Sequence, residues 1–159
     1  MEIIYRPIGT IHTPFAERKG TPIQPAAASG ALGRIELDDC YREGLKDLDG
    51  FSHMILLYHF HRSSGYQLEV TPFLDNQPRG LFSTRAPKRP NAIGLSVVRL
   101  TSIREGVLEV ADVDMLDGTP LLDIKPYVPQ LNPAAVERIG WFSGAVTDLQ
   151  GRTADERFR

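Results

Sequence analysis

One cysteine, Cys40, stands in 159 residues. A lone thiol excludes an intramolecular disulfide framework and fits a reducing, cytoplasmic compartment. Long apolar runs are also missing, and none approaches the roughly 18 residues that cross a bilayer as a helix. Met1-Glu-Ile-Ile-Tyr-Arg6 has no basic start followed by an apolar stretch, so no signal peptide is expected. Neither sign of charge dominates: 18 basic and 20 acidic residues leave a net −2, which argues against a protein coated in positive charge. Gly-x-Ser-x-Gly, Walker-type and HExxH motifs are absent, as is any cysteine pair. No metal and no membrane partner are expected. Met1, Met54 and Met115 are too few for a cofactor box, and the last two read as core packing.

Apolar residues at 42% and charged residues at 24% are globular values, and the length suits one domain with a core of its own. Ile3 to Thr13 reads as a first strand interrupted at Gly9. Residues 14–30, with Pro14, Gly20, Pro22, Pro25 and Gly30, form a long loop of the kind that carries function. Ala31–Leu37 alternates as a second strand, with Ile35 and Leu37 on one face. Asp38 to Gly44 reads as a short helix. Phe51–His61 is nearly all apolar or aromatic and reads as a strand buried on both faces. Brief strands are expected at Leu68–Thr71 and Leu81–Thr84, and longer ones at Ile93–Ile103, Val107–Met115 and Leu121–Tyr127. Asn132 to Gly140 reads as a helix, capped by Asn132 with Pro133 in its first position, and a frayed polar tail follows from Val146. Many short strands with Gly/Pro turns and one or two short helices argue for a mainly all-β fold, a single-sheet β-barrel. The barrel is expected over residues 1–130, with 131–159 as a helix and tail.

Charge is unevenly spread. Asn76 to Arg104 holds six basic residues and no acid, whereas Glu105 to Asp123 holds six acids and no base. Neighbouring strands with compensating charge account for part of this. Four of the basic residues, Arg79, Arg85, Lys88 and Arg89, lie among Gly80, Pro87, Pro90 and Asn91, in a proline-stiffened loop suited to an anionic ligand. The acidic turn from Asp112 to Pro120 offers carboxylates to ribose hydroxyls or an ammonium group. Asp123, Lys125 and Tyr127 share a face by period two. They read equally as a proton-moving set and as a hydrogen-bonded set at a barrel rim. His53, His59 and His61 share parity as well, and two imidazoles roughly 7 Å apart can chelate, but no further ligand spacing supports a metal. Ser52 beside His53 is expected on the opposite face, which excludes them as nucleophile and base. These features suit a zwitterionic or nucleotide-like ligand and name no reaction.

Five stretches carry a resemblance: Ile8–Pro14, Pro22–Pro25, Gly50–His61, Gly80–Ser96 and Asp114–Tyr127. In this order they resemble the TsaA-like, or TrmO, family of tRNA methyltransferases. The resemblance implies a β-barrel that binds S-adenosyl-L-methionine, usually as a homodimer. It also implies methylation of the exocyclic nitrogen of threonylcarbamoyl-adenosine at tRNA position 37. Alternatives that keep the cofactor are a small-molecule methyltransferase and a non-catalytic sensor module. By the resemblance, the cofactor contacts are Pro22, Ile23, Gln24, His61, Arg62, Arg85, Leu95, Ser96, Asp114, Met115, Leu116 and Asp117. Asp123, Lys125 and Tyr127 are the candidates for removing the acceptor proton, and Arg79, Lys88 and Arg89 for holding tRNA phosphates. Longer bacterial members continue into a further C-terminal domain, so a short form is implied here.

Overall fold

Strand alternation decides which side chains meet at the centre of this chain. A computed structural model describes residues 1–23, 28, 30–131, 136–145 and 152–155. Among these described residues eight strands form: β1 (Gly9–His12), β2 (Leu32–Leu37), β3 (His53–His59), β4 (Glu69–Val70), β5 (Arg79–Gly80), β6 (Ile93–Arg104), β7 (Val107–Ala111) and β8 (Thr119–Pro126). Six of them close into an antiparallel barrel in the order β1-β2-β7-β6-β3-β8, and β4 with β5 makes a separate ribbon. Inward positions repeat every second residue, as the pleat requires. Ile11, Ile35, Leu37, Met54, Leu56, Val98, Leu108, Val110 and Leu121 fill the interior. Complete burial of each large aliphatic side chain contributes about 1.5–3 kcal/mol.

Two local devices shape the barrel. Glu105 and Gly106 both have positive φ, 51° and 82°, which makes the two-residue β6–β7 hairpin of the tight primed type. Between β3 and β8 the register shifts: Leu57 faces Asp123, but Tyr58 faces Leu121, so Leu122 is the extra residue of a bulge.

The structure corrects several expectations. β1 is short, since residues 3–8 form no strand. β3 buries one face fully through Met54, Leu56 and Tyr58, while its other face stays half-buried. Asp39–Leu45 is a 3-10 helix without a side-chain cap. Leu81–Ser83 is a 3-10 turn rather than a strand. β7 stops at Ala111 because Asp112 takes a left-handed φ of 67°. The expected helix at 132–140 does not form over Val136–Ile139, and Gly140–Gly144 is a 3-10 turn. Asn132 and Pro133 lie outside the described residues. Ser52 precedes β3, so alternation does not govern it, and its Oγ sits 2.9 Å from His53 Nδ1.

The tail also differs. Thr153 bridges to Pro22, the Ala154 amide donates to the Thr21 carbonyl (2.7 Å), and the Ile23 amide donates to the Arg152 carbonyl (3.2 Å). Residues 152–155 are thus docked on the first loop, not frayed.

Candidate functional site

The first loop, the exit of β3, the basic loop and the acidic turn converge at one end of the barrel. Each is held there by identifiable bonds. Arg62 donates to the Ala16 carbonyl (2.8 Å), tying the β3 exit to the first loop. Ser63 Oγ donates to the Pro87 carbonyl (3.1 Å), tying the same exit to the basic loop. Thr13 Oγ1 donates to the Met115 carbonyl (2.9 Å), and the Asp117 amide donates to the Phe15 carbonyl (2.8 Å), pinning the acidic turn to the end of β1. Backbone carbonyls and amides of the loops are satisfied in this way.

Between these segments lies a cavity of about 400 Å³, within the range of small-molecule and cofactor sites. Of the expected contacts, Pro22, Ile23, His61, Arg62, Arg85, Leu95, Asp114, Met115 and Leu116 border it. Gln24 lies outside the described residues. Ser96 is 1% exposed and stands behind the wall, with its Oγ donating to Asp114 Oδ1 at 2.6 Å. Asp117 turns away from the cavity, accepting from the Thr13 amide (3.1 Å) and facing His12 Nδ1 (3.3 Å). Those contacts, the Thr13 bond first, hold its carboxyl below the ordinary carboxylate range.

The phosphate-binding candidates are partly engaged within the chain. Arg79 pairs with Asp75 (2.6 Å) and lies 5.6 Å from the Trp141 ring centroid. Arg89 borders the cavity but donates to the carbonyls of Thr84 (3.0 Å) and Ala86 (3.3 Å), so it stiffens the basic loop from within. Lys88 is half-buried and does not border the cavity. Asp123 and Lys125 pair with each other at 2.6 Å on the outward face of β8. Neither they nor Tyr127 borders the cavity.

Several bordering residues were not among the candidates read from the sequence. Tyr58 is inward on β3, its hydroxyl 3.0 Å from Ser96 Oγ, and Phe60 meets its ring edge-on at 5.5 Å. Arg18 comes from the first loop, and Trp141, Phe142 and Asp155 come from the C-terminal segment. Trp141 Nε1 donates to the Ser83 carbonyl (2.9 Å), and its indole stacks on Phe142 at 3.9 Å. The lone tryptophan was the available clue, since a single large aromatic is costly to leave in water.

Electrostatics divide the cavity. Arg18, Arg62, Arg85 and Arg89 supply positive charge, and Phe60, Ile93, Leu95 and Met115 supply apolar wall. Burial, then the neighbouring Arg62 and His59, lower the His61 pKa, so the imidazole is neutral near pH 7. Burial pushes the Asp114 carboxyl up to about 7, against the opposing effects of the Ser96 bond and Arg85. Among the described residues no three His, Cys, Asp or Glu side chains group to hold a metal ion, and no helix is long and apolar enough to cross a membrane.

Known proteins resemble this chain in sequence and fold. The family model described as tRNA-methyltransferase O N-terminal domain matches residues 10–132. A probable S-adenosyl-L-methionine-binding protein of Pyrococcus abyssi is 51% identical over 98% of this chain and 85% of its own length. A tRNA (adenine(37)-N6)-methyltransferase of Mus musculus is 38% identical over 79% of this chain, which spans only 31% of that protein. The crystal structure of TrmO from Pseudomonas aeruginosa superposes with a TM-score of 0.74 at 41% identity, over 89% of this chain and 63% of that one. The chain is therefore a member of the tRNA-methyltransferase O N-terminal domain family.

Proposed function

We propose that this protein transfers a methyl group from S-adenosyl-L-methionine to the N6 nitrogen of threonylcarbamoyl-adenosine at tRNA position 37. The observation that carries the reading is the cavity's charge pattern: the carboxyls of Asp114 and Asp155, four arginines and apolar surface line one space. S-adenosyl-L-methionine has a carboxylate, an ammonium, a sulfonium and a ribose diol on an aromatic base, so it needs both signs of charge and an apolar wall. Arg85 or Arg62 suits the carboxylate, and Phe60, Leu95 and Met115 suit the base. His61, being neutral, adds no repulsion toward the sulfonium. The bound cofactor would supply an electrophilic methyl carbon. The names of the archaeal and mouse relatives support the cofactor and the acceptor respectively.

On the same reading the protein works in the cytoplasm as a homodimer. Ile93 and Leu95 are apolar, 39% and 48% exposed, and stand at the cavity border, where a second copy would cover them. A second copy is also the way Asp123, Lys125 and Tyr127 on the outer face would reach an acceptor. Lys88 and Arg79, together with the cavity arginines, would meet tRNA phosphates.

The test is transfer of labelled methyl to tRNA bearing threonylcarbamoyl-adenosine, with unmodified tRNA beside it. Label confined to the modified tRNA is the expected result. No label in either, with cofactor binding intact by calorimetry, would refute the tRNA reading and leave a small-molecule acceptor or a sensor.

A further inference from the structure

We propose that Asp114 is the group that takes the acceptor's proton, and that Ser96 and Tyr58 are positioning residues that aim it. This rests on the function proposed above. The geometry begins with Gly94, which pairs with Tyr58 across β6 and β3. A Cβ at position 94 would collide with the Tyr58 ring, so glycine lets that ring lie flat over the strand. The tyrosine hydroxyl then reaches Ser96 Oγ (3.0 Å), two residues further along the same face of β6. Ser96 Oγ in turn donates to Asp114 Oδ1 at 2.6 Å, the length of a charge-assisted bond. Tyr58 and Ser96 are 4% and 1% exposed, whereas Asp114 borders the cavity. Two buried hydroxyls thus form a chain that ends on a carboxyl facing the ligand space.

Other candidates for this step are less well placed. Asp123 and Lys125 are paired with each other outside the cavity. Asp155, the other carboxylate bordering the cavity among the described residues, lies exposed in the C-terminal segment. His61 stands among positive neighbours, Arg62 and Arg18, which oppose its taking a proton. The ionisable groups acting on Asp114 are Tyr58 from β3 and Arg85 from the basic loop, with Ser96 as the hydrogen-bond donor from β6. The remaining ionisable groups on the cavity wall are Arg18, His61, Arg62, Arg89 and Asp155.

An amide-like nitrogen is a poor nucleophile until its proton leaves. In the proposed step the N–H bond breaks toward the Asp114 carboxylate as the N–C bond forms. The carbon–sulfur bond breaks with its electron pair left on sulfur, so the sulfonium becomes a neutral thioether and the carboxylate a carboxylic acid. Charge is conserved, and solvent removes the proton afterwards. A base titrating near 7 is well matched to this task at neutral pH.

The experiment combines turnover with two readouts that do not need it. Asp114→Asn is expected to lower kcat by about 10²–10⁴, the usual contribution of a general base, a loss well beyond whatever fall in cofactor affinity calorimetry shows. Carboxyl ¹³C titration of the cofactor-free protein is expected to place Asp114 at about 7. Ser96→Ala is expected to raise that midpoint, because the lost bond favours the ionised form. The acidic limb of the kcat–pH profile must move with it, and Tyr58→Phe must move both in one direction. The proposal is overturned by a pH-independent kcat, by substantial turnover in Asp114→Asn, or by cofactor affinity collapsing in parallel with kcat. It is equally overturned if the acidic limb follows His61→Gln instead. Wild-type protein that methylates no tRNA would overturn the functional reading itself, whereas transfer that survives Asp114→Asn overturns this proposal alone.

Discussion

At the scale of single residues, Asp114 couples function to stability. Its folded-state pKa of about 7 lies well above the unfolded value near 3.9. Between those values the native state keeps a proton that the unfolded chain has released. The stability it contributes is therefore full below pH 4 and lost as pH rises through 7. Asp114→Asn removes that slope. At pH 8 the variant should be more stable than the wild type by on the order of 1–4 kcal/mol, at about 1.4 kcal/mol per unit. Urea unfolding of both proteins at pH 5 and pH 8 measures this, and equal slopes for the two proteins would contradict it. Asp117 acts in the opposite sense: its depressed pKa contributes stability above the unfolded value that is lost in acid as pH falls through the lowered one. Gly94→Ala is expected to destabilise by about 1–3 kcal/mol through overpacking against the Tyr58 ring. Wild-type stability in that variant would show that the ring can step aside. Much of this site was legible in the sequence. The basic loop and the acidic turn announced themselves by charge, and His61-Arg62 by its position after an apolar strand. What could not be read was the side-chain direction that separates Ser96, behind the wall, from Leu95, in front of it. A one-residue difference inverts facing in a strand, and register is set by partners far away in sequence.

At the scale of elements, strands with clear alternation were found within a few residues. β2 and β6 begin and end almost where their patterns do. The failures lie where tertiary contacts override local preference. Val136-Glu137-Arg138-Ile139 has a helix-compatible sequence yet is irregular, and Trp141 beside it is bound to Ser83 and Arg79. Trp141 lies beyond the family match, which ends at residue 132, and still borders the cavity. Trp141→Ala should therefore weaken cofactor binding by about tenfold, equal to roughly 1.4 kcal/mol, while the barrel unfolds at nearly unchanged urea concentration. Calorimetry against the unfolding curve separates the two effects. Unchanged affinity would confine the tryptophan to a bystander's part. The outer-face trio invites a parallel comparison. Lys125→Ala breaks only an exposed pair with Asp123, which contributes at most about 1 kcal/mol to folding. Any large loss of turnover in that variant must then come from an acceptor-side role.

At the scale of the whole molecule, a net charge of −2 conceals a cationic end. Arg18, Arg62, Arg85 and Arg89 surround one opening, whereas most acids lie elsewhere or are tied into turns. Binding of tRNA should weaken steeply with salt, with log K falling linearly in log salt concentration. Replacing Arg85 by Ala should reduce that slope by about one. Filter binding from 50 to 300 mM salt reads both, and a salt-independent affinity would exclude a phosphate-led encounter.

Barrel closure carries a consequence in time. Gly9 pairs with Leu121, so the first strand finds its last neighbour only after more than a hundred residues have been made. The Pro22–Thr153 bridge extends that wait further. A nascent chain on the ribosome therefore leaves the outer edges of the β1–β2 pair open until β7 and β8 have been made. Such distant pairing slows folding, because the entropy of closing the loop precedes any reward from contact. The pocket, lined by residues from Arg18 to Asp155, is complete only once segments this far apart in the chain have met.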